Sequence, residues 1–301
     1  MISKFFHYLK IALNFPLILL ITRFLSKIGI KNNFLKKLDF LNSPDSKRPT
    51  KPIEILIKHM NAAKLPMFKL AKKIPNSDFL EIGCGKHLGL GPVALGLGAK
   101  HFIGVDPSLD KNLIYDPEIH KKYFELSLIK NKEFLKTINH FQHLPFILKR
   151  NMMMELIPRI SLEQKGISNI IKEKNVDICV SISCFEHILD FEFSCKKLSE
   201  LTHKNTLHLH VVNFSNHLLK EKPFHQLYEM PIHDFRKKWN NNINGLRIND
   251  IMKCLHSSGL NLRAITLDNK PELIPQNIHQ FWLDNYNLKD LSIRTALITS
   301  L

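Results

Sequence analysis

A short apolar strand that runs into two closely spaced glycines is the feature that most constrains the fold of this chain. Residues 79–85 read FLEIGCG, and residues 102–106 read FIGVD. Two such strands, the first ending in glycines and the second in a lone aspartate, are typical of the cofactor site at the carboxyl edge of a doubly wound sheet. The glycines let the backbone turn sharply beside a ligand and enter a helix whose free N–H groups favour an anion. The sequence therefore predicts a nucleoside-binding α/β fold.

The residues around this turn discriminate between cofactors. In a dinucleotide fingerprint the third glycine would come one residue before Gly89, and here Glu81 stands just ahead of the turn. A carboxylate at that place repels a pyrophosphate but attracts S-adenosylmethionine, which carries an ammonium and a sulfonium. Asp106 is placed to accept hydrogen bonds from the ribose hydroxyls of such a nucleoside. Alternatively, Asp106 is a turn aspartate before Pro107.

The same residues resemble a known family. Residues 81–85 together with Asp106 resemble the first two motifs of the class I S-adenosylmethionine-dependent methyltransferases. Residues 176–188 (VDICVSISCFEHI) are similar to that family's fourth-strand motif, an Asp-led apolar strand ending in Ser-x-x-x-Glu-His. Residues 208–217 (HLHVVNFSNH) resemble the His-x-Ile-Asp-x-x-Asp-His stretch of a bacterial subgroup, and residues 244–247 (NGLR) resemble its Asn-x-Leu-Arg. The resemblance implies S-adenosyl-L-methionine as cofactor and methyl transfer as activity.

Two features depart from the subgroup. Its two aspartates are replaced here by Asn213 and Asn216, which lack a carboxylate. The family's acidic residue at the end of a third strand, which contacts the adenine, has no clear counterpart. We expect that strand in the region 154–166, where Glu163 is the one candidate.

Alternating strand and helix patterns predict a Rossmann-like, doubly wound, mostly parallel seven-stranded sheet covered on both faces by helices. Strand patterns lie near residues 78–82, 101–105, 176–183, 206–212, 260–267 and 292–299. Two segments, about 112–172 and 214–247, are longer than crossovers require. We expect helical insertions there on the substrate side, because ligands in open α/β sheets bind at the carboxyl ends of strands.

The N-terminal part is predicted to differ from the rest. Residues 1–41 read as a basic, apolar helical extension, residues 42–52 as a linker rich in Pro, Ser and Lys, and residues 53–301 as the methyltransferase-like domain. Residues 1–73 hold 15 Lys or Arg and three acidic residues, so they carry +12 of the chain's net +16.

The basic N-terminus also contains an apolar run at residues 11–21. Pro16, Arg23 and Lys27 interrupt or end it before the roughly 20 apolar residues that a spanning helix needs. Two interpretations fit. Residues 1–30 form an interfacial helix on an anionic membrane, where each basic residue contributes about 1 kcal/mol, or they pack on the domain as a lid.

Composition indicates a globular protein, with 44% apolar and 23% charged residues. The five cysteines, at positions 84, 179, 184, 195 and 254, form no Cys-x-x-Cys pair. This spacing argues against a zinc site and favours a reducing compartment. We therefore predict no metal site and a cytoplasmic location, peripheral on the membrane if the interfacial interpretation of the N-terminus holds.

The resemblance and the strand positions together give a set of candidate site residues. The cofactor-binding candidates are Glu81, Gly83, Cys84, Gly85, Asp106, Pro107, Ser183 and Glu186. Candidate general bases for an oxygen acceptor are His187, His210 and His217, since the pKa of histidine suits proton removal. His187 alternatively lines the cofactor cleft with Glu186. Asn213 and Arg247 are candidate substrate contacts, although Arg247 could equally form a structural salt bridge.

Three function classes follow from these features. A methyltransferase for a small-molecule, glycan or lipid-linked acceptor agrees with the motifs and with the basic apolar N-terminus. An RNA or other nucleic-acid methyltransferase would agree with the sequence pI of about 9.6, although the chain has no Asn/Asp-Pro-Pro-Tyr/Phe motif after the fourth strand. A non-catalytic or dinucleotide-binding protein with the same fold is the third class. Nucleic acid is not an expected partner.

Overall fold

The computed structural model describes residues 33–146, 156–169 and 175–301. Seven strands form one sheet: β1 (Asp78–Ile82), β2 (His101–Val105), β3 (Ile160–Glu163), β4 (Val176–Ile182), β5 (Thr202–Asn213), β6 (Arg263–Asn269) and β7 (Ile293–Thr299). Their order is β3-β2-β1-β4-β5-β7-β6, with β7 antiparallel to β5 and β6 and the other neighbours parallel. The predicted doubly wound, mostly parallel seven-stranded sheet is confirmed.

Helices precede the sheet and connect its strands. They are α1 (Asn33–Asn42), α2 (Pro44–Lys47), α3 (Lys51–Ala62), α4 (Met67–Lys73), α5 (Gly91–Gly96), α6 (Lys111–Ile114), α7 (Pro117–Ile119), α8 (Glu125–Lys136), α9 (Phe191–Leu201), α10 (Ile232–Trp239), α11 (Ile248–Ser257), α12 (Gln280–Asn285) and α13 (Leu288–Leu291). A π turn, His120–Phe124, joins α7 to α8, and short 3₁₀ turns lie at Ile157–Arg159, Ile167–Asn169, Phe185–His187 and Pro271–Leu273.

Side chains alternate between the two faces of the sheet along each strand, and each face packs against helices in its own apolar cluster. In β1, Phe79 packs into the apolar cluster that includes α3 and α5, and Leu80 packs into the opposite cluster with α9 and α11. A third cluster around Tyr228 and Trp282 joins the segment after β5 to α12 and α13. This third cluster packs the predicted insertion 214–247 against the helices that precede β7.

The strand order reverses between β1 and β4, which are hydrogen-bonded neighbours. Chain connections leave this pair in opposite directions, so a crevice opens outside their carboxyl ends. The glycine turn follows β1, and residues 183–187 follow β4. The fold therefore brings two of the sequence motifs to the same crevice.

The predicted linker at 42–52 is folded rather than extended. Ser43 caps α2 by accepting a hydrogen bond from Ser46 N at 3.3 Å, and both serines are buried. Phe40 of α1 is fully buried, with its ring centroid 4.1 Å from that of His87 beside the glycine turn. The segment was predicted as a linker from its Pro, Ser and Lys content, but its serines satisfy backbone groups within a packed helical turn.

Within the described part of the chain, no helix combines the length and the apolarity that crossing a membrane would require. The apolar run 11–21 lies outside the described residues, so both interpretations of residues 1–30 remain predictions.

Candidate functional site

The glycine turn after β1 is shaped by two left-handed residues. Gly83 has φ +79° and Gly85 has φ +63°, backbone angles that residues other than glycine rarely adopt. A Cβ on Gly83 would lie 2.6 Å from Cys184 Sγ, whereas one on Gly85 would meet no atom within 4 Å. Gly83 therefore permits close packing against the loop after β4. Gly85 leaves its backbone open to a ligand.

Glu81 lies beneath this turn and is 2% exposed. Its Oε2 accepts a hydrogen bond of 2.7 Å from Leu90 N, just ahead of α5, and a Cβ on Gly89 would collide with its carboxylate. Burial raises the pKa of Glu81 to about 8, although the bond from Leu90 N lowers it. A cation placed nearby would favour the ionised form, so this carboxyl can respond to a charged ligand.

Asp106 follows β2 and faces the same turn. Its Oδ2 accepts a hydrogen bond of 2.8 Å from Gly85 N, and its Oδ1 accepts from Ser108 N at 2.7 Å and from Ser108 Oγ at 2.5 Å. A carboxylate offers about four acceptor positions, so one remains at Oδ2 for a ligand hydroxyl. The bonds to Ser108 also make Asp106 a turn residue, so both predicted interpretations agree with the contacts. Pro107 is exposed on the rim.

A cavity of about 590 Å³ lies at the carboxyl ends of β1 and β4. Its lining includes five of the predicted cofactor-binding residues, namely Glu81, Gly83, Cys84, Gly85 and Ser183. The opposite wall comes from α2, α3 and the segment between them, including Arg48, Lys51, Pro52 and Ile55. A cavity of this size agrees with the volume of ordinary cofactor sites.

The turn after β4 carries a buried acid and an exposed histidine. Glu186 is 1% exposed, and its Oε1 accepts a hydrogen bond of 3.3 Å from Asn213 N. Its Oε2 is buried without a hydrogen-bond partner among the described residues. Burial raises the pKa of Glu186 to about 8.

Two of the predicted histidines meet at this place. The ring centroids of His187 and His217 lie 5.0 Å apart, and His217 Nε2 lies 3.8 Å from Glu186 Oε1 and 3.5 Å from the carbonyl oxygen of Asn213. Desolvation lowers the pKa of both histidines, which favours their neutral forms. The structure thus brings together three residues that follow two different strands.

The third histidine, His210, lies elsewhere. It is fully buried, stacks on Phe185 with centroids 4.5 Å apart, and shares hydrogen bonds with Ser181 Oγ at 2.9 Å and His208 Nδ1 at 3.1 Å. Burial holds its pKa well below the usual value. The prediction of His210 as a general base is corrected, because both ring nitrogens already have partners and the ring is fully buried. His208 and His210 lie on one face of β5, because side chains two residues apart along a strand point the same way.

Arg247, a candidate substrate contact, is also interior. It is 1% exposed and lies among the rings of Phe214, Tyr228 and Trp282, with its guanidinium carbon 5.2 to 5.5 Å from their centroids. Its Nη1 donates to Phe214 O at 3.1 Å and to Tyr228 Oη at 2.8 Å. The predicted clamp is corrected, since this arginine fixes the third cluster. The partners of its guanidinium are carbonyls, a hydroxyl and rings rather than the carboxylate of the alternative salt bridge.

The two asparagines have distinct structural roles. Asn216 Nδ2 donates to Lys222 O at 2.8 Å and to His225 O at 2.7 Å, bonds that an aspartate could not make. Asn213, at the end of β5, accepts from Ser215 N through its side chain at 3.1 Å and orients Glu186 through its backbone N–H. Asn213 therefore supports the acidic turn, and its predicted contact with substrate remains a prediction.

Sequence reasoning missed Asn244. Its Nδ2 donates to Phe185 O at 2.7 Å and to Ile188 O at 3.0 Å, and its backbone N donates to Glu186 O at 2.7 Å. These bonds fix the turn that carries Glu186 and His187. The Asn-Gly dipeptide at 244–245 was the available signal, because Gly245 has φ +83° and such pairs mark turns.

Among the described residues, two groups of side chains lie close enough together to be considered as metal ligands. In Glu186, His187 and His217, and separately in Cys179, His208 and His210, one potential ligand atom from each residue lies within 4.8 Å of the others. The second group is fully buried, and its histidines bond to each other.

Comparisons with known proteins find structural likeness only. No protein-family model matches the chain, and no curated protein matches it. A Listeria monocytogenes protein, provisionally assigned as an S-adenosylmethionine dependent methyltransferase, is 14% identical with a TM-score of 0.42 over 82% of this chain and 95% of that one. An S-adenosylmethionine dependent methyltransferase from Mesorhizobium loti is 10% identical with a TM-score of 0.42, over 79% and 93%. At these identities and TM-scores the likenesses carry no argument about activity.

Proposed function

We propose that this chain is an S-adenosylmethionine-dependent methyltransferase that acts on a small-molecule, glycan or lipid-linked acceptor. The observation that carries the proposal is the cavity of about 590 Å³ at the point where the strand order reverses, with the buried carboxyl of Glu81 and the open backbone of Gly85 in its wall. A nucleoside that carries positive charge fits this combination of an acid and an accessible glycine turn.

Each part of the wall has a role in cofactor binding. Gly85 allows the ligand to approach the backbone, and the free acceptor position of Asp106 receives a ribose hydroxyl. Glu81 stabilises the cationic methionine end, and Cys84 and Ser183 border it. A dinucleotide fits less well, because the carboxyl of Glu81 already accepts the N–H of Leu90 at the start of α5, where a pyrophosphate would bind.

The reaction requires little from the protein beyond position and proton removal. The sulfonium of the cofactor makes the methyl group electrophilic, so the protein must hold the acceptor in line with it and exclude water. The wall from α2 and α3 covers the cavity. Glu186, His187 and His217 lie beyond Ser183 at the ends of β4 and β5, where they can hold the acceptor and assist loss of its proton.

We further propose that residues 1–30 attach the protein to anionic membrane surfaces. The support is their sequence, in which basic residues flank the apolar run 11–21. Such attachment would place the active site near a lipid-linked acceptor.

Calorimetric titration with S-adenosylmethionine, its demethylated product and NAD tests the proposed function. We expect binding of the first two and not of NAD. Asp106→Ala should weaken binding by about 10- to 150-fold, because hydrogen bonds to a charged group contribute about 1.5–3 kcal/mol. Ser108→Ala is the matched comparison, since it removes the 2.5 Å bond to the same carboxylate from the cavity wall and should change affinity much less than Asp106→Ala. Binding of NAD alone, or unchanged affinity in Asp106→Ala, would refute the proposal.

A further inference from the structure

The carboxyl group of Glu186 has one oxygen without a hydrogen-bond partner among the described residues. Glu186 Oε2 is buried, and no described residue donates a hydrogen bond to it. Buried charged or polar oxygens almost always have a partner, because an unsatisfied one costs about 1–3 kcal/mol or more. The nearest basic group is His217, whose Nε2 lies 3.8 Å from the other oxygen, Oε1, which is beyond hydrogen-bond distance. An electron-pair acceptor such as a metal ion would supply the partner that this oxygen lacks.

The two histidines beside that position supply the matching donors. His187 follows Glu186 on the same 3₁₀ turn, and His217 approaches from the loop after β5. One potential ligand atom from each of the three side chains lies within 4.8 Å of the others. Metal–nitrogen and metal–oxygen bonds of about 2.0–2.1 Å in a tetrahedral site separate ligand atoms by roughly 3.4 Å. Small side-chain rotations would bring the three atoms to that separation.

The backbone that carries these side chains is held in place by other contacts. Asn244 donates hydrogen bonds to Phe185 O and Ile188 O, on either side of Glu186 and His187. Asn216 ties the loop next to His217 to the carbonyls of Lys222 and His225. These bonds fix the backbone from which the three side chains extend.

We infer that Glu186, His187 and His217 bind one divalent transition-metal ion of the zinc class. Two imidazoles and one carboxylate form the donor set of open, catalytic zinc sites, in which the remaining coordination position takes water or substrate. The other cluster, Cys179 with His208 and His210, is not such a site, since its histidines already bond to each other and to Ser181.

The open coordination position suggests what the ion would do. Glu186 lies three residues beyond Ser183, which lines the cavity, so the ion would bind at the acceptor side of the cofactor site. A metal-bound hydroxyl loses its proton more readily than a free one, so an acceptor oxygen bound there would be prepared for methylation. This role rests on the proposed methyl transfer, whereas the binding of the ion does not.

Metal titration of the full-length chain without an affinity tag tests the inference. Zn²⁺ would be measured by equilibrium dialysis, and Co²⁺ would be followed by its visible absorption. We expect one ion per chain. Glu186→Gln, which keeps an acceptor for Asn213 N, and His217→Ala should each weaken binding by at least about 100-fold, because loss of a mere supporting contact already costs 10- to 100-fold.

Matched controls come from histidines that also lie beside a carboxylate. His225 is 3.2 Å from Glu229, and His233 is 3.4 Å from Asp234, both outside the site. His225→Ala and His233→Ala should bind one ion with unchanged affinity. Circular dichroism of each variant establishes that it is folded. Absence of binding, equal loss in the control variants, or unchanged affinity in Glu186→Gln would overturn the inference.

The two proposals fail in different experiments. If Zn²⁺ binds through Glu186 while S-adenosylmethionine does not bind at all, the metal site stands and methyl transfer fails. If S-adenosylmethionine binds and is lost in Asp106→Ala while no variant alters metal binding, only the metal inference fails.

Discussion

The turn after β1 lines the cavity with left-handed glycine backbone, whereas the turns after β4 and β5 bring three ionisable side chains together beyond Ser183. At β1, the left-handed glycines and the bond from Gly85 N to Asp106 define the surface. After β4 and β5, Glu186, His187 and His217 form the group of ionisable side chains. The first half of the site, after β1 and β2, is shaped to accept a ligand of fixed structure. The second half, after β4 and β5, carries side chains that can gain or lose a proton. Such a division suits an enzyme whose cofactor is constant and whose acceptor distinguishes it from other enzymes of the same fold.

Removing the histidines of the second half should have the largest effect. His217→Ala should lower the rate of methyl transfer by about 10²- to 10⁴-fold, the range for loss of a group that assists proton transfer, with unchanged affinity for S-adenosylmethionine. His187→Ala should behave in the same way. The rate is measured as transfer of labelled methyl groups from the cofactor to fractionated cell extract, and affinity by calorimetry.

His210→Ala is the matched control for this prediction. It should lower the melting temperature, because Ser181 and His208 lose a buried partner, but leave transfer per folded molecule unchanged. A chelator separates the two roles open to His217, since it should stop transfer if that residue is a metal ligand and leave it unaltered if the residue is a base. A normal rate of methyl transfer in both His187→Ala and His217→Ala would show that neither histidine takes part in the reaction.

A smaller effect is expected from pH in the first half. Burial raises the pKa of Glu81 to about 8 in the ligand-free protein, and a bound cation favours its ionised form. Binding therefore releases a proton from Glu81 below pH 8. Affinity for S-adenosylmethionine should rise between pH 6 and pH 8, by at most about tenfold per pH unit, and then level off. Calorimetry in buffers of different ionisation enthalpy measures both the affinity and the released proton.

Glu81→Gln is the control, because it keeps an acceptor for Leu90 N and cannot ionise. The amine of the cofactor titrates in both proteins, so the difference between them isolates Glu81. The same pKa shift also affects stability. Since the folded pKa lies above the ordinary value of 4.5, the ligand-free protein should lose stability as pH rises from about 4.5 to 8, and Glu81→Gln should lose less. Parallel pH profiles for the two proteins would show that Glu81 does not respond to the cofactor.

The two halves also differ in how far the sequence predicted them. The glycine turn was predictable because a left-handed backbone is accessible mainly to glycine, so the constraint is local and visible in residues 79–85. The strand positions followed from apolar runs for the same local reason. The third strand was placed only within the region 154–166, because four residues at a sheet edge give a short pattern.

The interior positions of two candidates were not predictable, because they depend on distant parts of the chain. Arg247 is buried by rings from residues 214, 228 and 282, and His210 by Phe185 from the neighbouring turn. Periodicity places a residue on a face but does not say how much protein covers that face. The buried Glu186 beside two histidines likewise appears only when β4 and β5 lie side by side.

The smallest effect on the cofactor site should come from deleting residues 1–30. The described lining of the cavity runs from Asp45 to Ser183, and α1 begins at Asn33, so the deletion leaves every described lining residue in place. Affinity for S-adenosylmethionine should therefore change by less than about twofold. Binding to anionic vesicles, measured by flotation, should be lost, because the deletion removes basic residues that contribute about 1 kcal/mol each. Lys51→Ala is the contrasting variant, because Lys51 lies in the cavity wall but outside the deleted segment, and it should leave vesicle binding intact. If the deletion abolishes cofactor binding and vesicle binding is unaltered, residues 1–30 act as a lid, and the backbone-built half of the site extends to the N-terminus.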